Sequence, residues 1–145
     1  MYELGEGMEK DEEEAFNHYL AAAKAGDVEG MYEVAARLAD GNGVGKDDAL
    51  AVAWYRKAAE AGHVGAMTNL GAHYALGEGV EKDFRQAATW FAKAADAGDA
   101  NAAFNLGLMH EKGDGVAEDA AKALDWYRKA AANGHEKAKK AVERL

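Results

Sequence analysis

The chain has 145 residues, 49% of them apolar and 30% charged, with a net charge of −9. That length suits one compact domain or a short repeat array, and the composition supports a buried core rather than disorder. The acidic balance argues against nucleic acid, which relies on clustered Lys and Arg, and the absence of Cys removes disulfides, thiolate metal sites and cysteine nucleophiles together.

There is no proline, which favours uninterrupted helices, because proline is the usual helix stopper. No apolar run approaches the roughly 20 residues that span a bilayer. The opening MYELGEGMEKDEEE is acidic and lacks the positive start and apolar stretch of a secretory signal. The compartment stays open, as does removal of a signal upstream.

One register organises the chain. Trp54, Trp90 and Trp126 are 36 residues apart, and the same step links Gly41, Gly77 and Gly113; Gly43, Gly79 and Gly115; Val44, Val80 and Val116. It also links Asp47, Asp83 and Asp119; Lys57, Lys93 and Lys129; and Gly26, Gly62, Gly98 and Gly134. The predicted units are a partial repeat over 1–29, full repeats over 30–65, 66–101 and 102–137, and a half-repeat or capping helix over 138–145.

In chain order, Gly5, Gly7, Asp11, Tyr19, Ala22 and Ala23 fall in their columns, with Met8 in the valine column and His18 in the tryptophan column. The chain is therefore expected to open near the end of a first helix, with the acidic run Asp11, Glu12, Glu13 and Glu14 beginning the next one. Each full unit then reads as two helices. In the first, Ala66, Leu70 and Tyr74 form one apolar stripe with Gly71 beside them. Gly71 and Gly107 each cost about 1 kcal/mol relative to alanine in mid-helix, so a close approach there is expected. G-x-G-V ends the helix with a left-handed cap and a valine that plugs the turn. Asp83 is the expected N-cap of the second helix, which carries Ala87, Trp90, Ala94 and Ala97 toward its neighbours. One unit cannot bury its own apolar face, so stability must come from stacking.

The pattern A-x-x-x-L-G-x-x-Y-x-x-G-x-G-V-x-x-D followed by A-x-x-W-F-x-K-A-A-x-x-G, best seen from Ala66 through Asn101, resembles the Sel-1-like repeat, a branch of the tetratricopeptide superfamily. Ordinary tetratricopeptide units have 34 residues and usually a proline; this chain has the longer unit and the glycine-valine loop. Ala35 replaces the mid-helix glycine, Leu38 and His110 the tyrosine, and His18 the tryptophan. Some secreted bacterial members carry a cysteine pair per repeat, absent here. The resemblance implies an all-α, right-handed superhelical α/α solenoid of 36-residue helix-turn-helix repeats. It also implies an adaptor whose curved surface holds proteins or peptides in bacterial signalling, envelope and host-interaction systems or eukaryotic quality control.

By the same resemblance, the concave face is lined by the first helices, and the Asn before Leu-Gly reaches a bound peptide backbone. That column holds Asn69 and Asn105, with Glu33 in the first full unit; a surface Asn bonding locally is the alternative. One position earlier stand Tyr32, Thr68 and Phe104; one turn later Ala36, Ala72 and Leu108, then Asp40, Leu76 and Lys112. Tyr32, Leu76, Phe104 and Leu108 are larger and more apolar than exposed positions require, which marks an interface or packing between adjacent helices. The candidate partner-binding residues are Tyr32, Thr68, Asn69, Leu76, Phe104, Asn105, Leu108 and Lys112.

No catalytic, cofactor or metal residues are expected. His63 and His135 share a column two units apart, His73 and His110 occupy different columns, and no pair has zinc-ligand spacing. The acidic run suits a helix start, where it complements the dipole. G-x-G-V follows a helix rather than a strand and is no dinucleotide fingerprint, and no serine occurs. The expected function is a non-catalytic scaffold for a protein or peptide partner, without nucleic acid or membrane span. Its competitors are a structural spacer in a larger protein and a glycan- or peptidoglycan-binding envelope module with Tyr32 stacking on sugar. A monomer is expected, although the acidic start and the basic Lys137, Lys139, Lys140 and Arg144 would allow head-to-tail association.

Overall fold

The computed structural model describes residues 4–145, with side chains from Lys10 onward. Met8, in the valine column, is therefore outside the described side chains. The described residues form eight helices and no strand: α1 (Leu4–Lys24), α2 (Val28–Asp40), α3 (Asp48–Glu60), α4 (Val64–Leu76), α5 (Phe84–Asp96), α6 (Ala100–Lys112), α7 (Ala120–Ala132) and α8 (Glu136–Arg144). The substantial helix–helix contacts all join consecutive elements, which is the signature of a solenoid. No helix among the described residues is long and apolar enough to cross a membrane.

The helices stop and start where the local chemistry dictates. Gly77 takes φ +70° and its N–H bonds the His73 carbonyl, closing α4 in the left-handed cap. Asp47, Asp83 and Asp119 then accept backbone N–H groups from the first turns of α3, α5 and α7. Val44, Val80 and Val116 pack partly buried against the core. Between units, the caps of the first helices form a second column: Asp27, His63, Asp99 and His135 each accept a backbone N–H three residues on.

The core is a spine of alanines with a ring at each level. A Cβ on Gly71 would lie 2.8 Å from the Phe91 ring, and one on Gly107 would lie 2.4 Å from the Tyr127 ring. The mid-helix glycines therefore admit an aromatic ring from the unit's own second helix. The recurring lysines have a physical role too. Lys57, Lys93 and Lys129 place Nζ 4.7, 4.7 and 4.4 Å from the ring centres of Trp54, Trp90 and Trp126, a contact worth about 0.5–1 kcal/mol at exposed sites.

The start of the chain departs from expectation. Instead of a G-x-G turn at Gly5 and Gly7 and a helix opening at Asp11, α1 runs unbroken from Leu4. The acidic run thus lies inside a helix and does not begin one. The reason is visible in the later loops. Gly79 and Gly115 seat against the first turns of α3 and α5, and Gly43 against α1 at Glu12 and Glu13; among the described residues no earlier helix offers such a seat to Gly7.

Candidate functional site

The first helices α2, α4, α6 and α8 build one face, marked by three successive grooves. The groove between α2 and α4 is lined by Tyr32, Ala36, Asp40, Asn69 and Leu76, with Tyr55, His73 and Glu78 behind them. The next, between α4 and α6, is lined by Ala72, Leu76, Asn105, Leu108 and Lys112, with Phe84 and Phe91 from α5. The third, between α6 and α8, takes Phe104, Leu108, Tyr127, Lys137, Lys140 and Arg144. Leu76 belongs to the first two grooves and Leu108 to the last two, so the three adjoin one another along the face. Leu76 is 65% exposed, far more than a packing role needs.

Of the eight candidate residues, seven line these grooves and Thr68 does not. Its hydroxyl donates to Asp99 Oδ2 at 2.6 Å. Tyr32 and Phe104, in the same column, are half-buried, with one ring face against the next helix cap. Tyr32 stacks on His63 at 4.4 Å between ring centres, and Phe104 on His135 at 4.5 Å. This column is thus a seam within the array, where ring meets imidazole or hydroxyl meets carboxylate. It also leaves Tyr32 without two free faces for stacking on a sugar.

The two asparagines differ. Asn69 Nδ2 donates to the hydroxyls of Tyr55 (3.2 Å) and Tyr32 (3.4 Å). Asn105 stands where the corresponding rings are Phe91 and Thr68 replaces the tyrosine, and its amide has no protein partner among the described residues. Burial pushes the Tyr55 hydroxyl up to about 12, so it stays neutral while accepting from Asn69.

Charge changes along the face. The first groove carries Asp40, Asp48 and Glu78 with Lys46, whereas the third carries Lys137, Lys140 and Arg144. Arg144 is already engaged, donating through both Nη atoms to Glu111 at 2.8 and 3.0 Å. Tyr127 donates to the same carboxylate at 2.6 Å. These bonds, the Arg144 bond foremost, hold the Glu111 carboxyl below the usual range. Sequence reasoning missed Tyr55, Phe91 and Tyr127, although the aromatic directly after each tryptophan was a visible column.

The family model for the Sel1 repeat matches residues 1–27, 28–63, 64–99 and 100–135. The chain belongs to the Sel1 repeat family. Among solved structures it is similar to a Sel1 repeat protein from Oxalobacter formigenes, at 42% identity and a TM-score of 0.80, covering 88% of this chain and 96% of that one. It is also similar to a protective antigen of uropathogenic Escherichia coli with an SLR fold, at 37% identity and a TM-score of 0.84. That match covers 86% of this chain but only 27% of the antigen's chain. Helicobacter pylori cysteine rich protein B matches at 25% identity and a TM-score of 0.71, covering 92% of this chain and 96% of that one. No curated protein sequence matches. Sel1 repeats form helical solenoids and typically serve as non-catalytic protein-interaction scaffolds.

Proposed function

We propose that this Sel1 repeat array is a non-catalytic scaffold that holds a protein or peptide segment along the face of α2, α4, α6 and α8. The observation that carries the reading is Leu76: a large apolar side chain, 65% exposed, at the ridge shared by two grooves. An apolar anchor ringed by polar groups is how a binding surface is built. Around it, Asn105 offers an unengaged amide to a peptide backbone, and Leu108 and Lys112 extend the same groove. The acidic first groove and the lysines of the third favour a segment whose acidic end lies toward α8.

A pull-down with the wild-type chain, Leu76→Asp and Leu50→Asp tests this. Leu50 is also exposed, at 46%, but lies on the second helix α3 and outside all three grooves. A partner that is lost with Leu76→Asp and kept with Leu50→Asp supports the proposed face. A partner kept by both variants, or lost with Leu50→Asp alone, rejects it.

A further inference from the structure

The three loops seated on preceding helices supply the same junction three times, with different chemistry each time. At the first, Glu12, Arg37 and Asn42 occupy corresponding positions, and Arg37 Nη1 pairs with Glu12 Oε2 at 2.8 Å. At the third, the positions hold Phe84, Met109 and Asp114, and Phe84 and Met109 close an apolar groove. At the second they hold Asp48, His73 and Glu78. There, a ring nitrogen of His73 and one carboxylate oxygen from each acid lie within 4.8 Å of one another. The cation supplied by Arg37 at the first junction is replaced by an imidazole, and a second carboxylate is added.

His73 is only 8% exposed. Its Nδ1 is 2.9 Å from the Glu78 carbonyl oxygen. A carbonyl can only accept, so Nδ1 carries the proton, and in the neutral ring the lone pair is on Nε2. Nε2 has no hydrogen-bond partner among the described residues. A ring locked by Nδ1–H to a backbone carbonyl, with a free Nε2 lone pair, is the arrangement that orients metal-ligating histidines. We infer that Asp48, His73 and Glu78 form a binding site for a divalent transition cation of the zinc type, bridging the units of α3 and α4 within the first groove.

The donor set of one imidazole and two carboxylates suits such an ion. Ligand bonds of about 2.0–2.2 Å require the carboxylates to close in, which the exposed Glu78 can do by rotation. The other charges on this groove are Asp40 and Lys46. Lys46 Nζ lies 3.3 Å from Asp48 Oδ1 and 2.7 Å from the Ala39 carbonyl; it is 60% exposed along its side chain and must swing away. Pairing histidine with histidine along the sequence could not find this site, because its acids come from another helix and a loop. The inference does not depend on the face holding a partner.

Titration calorimetry with Zn2+ on the metal-free full chain, backed by Co2+ absorption, is the test. One ion per chain is expected. Asp48→Asn and Glu78→Gln each weaken binding by at least about tenfold, the loss that removing even an outer-shell partner brings, and together abolish it. Lys46→Gln tightens binding. His63→Asn, which keeps a capping side chain but removes the His63–Glu29 contact, leaves binding unchanged. Circular dichroism confirms that each variant is folded. The inference is overturned if the wild type takes up no Zn2+, if the Asp48→Asn, Glu78→Gln double variant binds like wild type, or if His63→Asn alone removes binding.

Discussion

Gly79 has a φ of +73°, and a Cβ there would lie 2.3 Å from the Asp48 carbonyl carbon. Backbone cannot yield as a side-chain tip can, so Gly79→Ala combines left-handed strain with a clash. A loss of about 3 kcal/mol or more is expected in urea unfolding. Gly45, two residues beyond the equivalent glycine of the first loop, meets nothing within 4 Å, and Gly45→Ala should stay within about 0.5 kcal/mol of wild type. Glu111 makes a different residue-scale prediction. Its carboxyl is depressed in the folded chain, chiefly by the hydrogen bond from Arg144. Its contribution is therefore complete above the ordinary carboxylate range and fades as pH falls through the folded value. Glu111→Gln should lower the Tm by a few degrees near neutral pH, and thermal melts of the two proteins should converge in acid.

The helix is the scale at which the seam column acts. Tyr32 with His63, Thr68 with Asp99 and Phe104 with His135 each join a first helix to the cap of the next one. Asp99→His alone leaves the Thr68 hydroxyl only its longer, 3.4 Å bond to the Val64 carbonyl, and Thr68→Tyr alone crowds Asp99. The double variant recreates the pair seen at Tyr32 and His63, so the two changes should be non-additive by about 0.5–1.5 kcal/mol in a chemical-denaturation cycle. This seam also shows where sequence reading stopped. The helix pairs, the Asp47, Asp83 and Asp119 caps and the valine plugs follow from local spacing, and all were legible in the register. The candidate grooves were legible in part, because Leu76, Leu108 and Lys112 stand one and two turns after the asparagine column. Phe104 and Tyr32 read as exposed rings because their partners lie 31 residues on, beyond any helical period. The unbroken α1 was hidden for a related reason: each described G-x-G turn is received by a preceding helix, a partner that local spacing does not reveal.

Across the whole molecule, contacts between consecutive helices make stability a chain of neighbour terms, with the ends opening most readily. The seam and the loop junction differ in one respect that matters at this scale. Each seam pair lies inside a single matched unit, 28–63, 64–99 or 100–135, so it would survive any rearrangement of whole units. The junction spans two units. Excision of residues 64–99 would bring Asp48 opposite Met109 and Asp114, setting a carboxylate against a thioether and a second acid. The units are alike in shape yet hold an assigned order, and a permuted array would fold with mismatched joints.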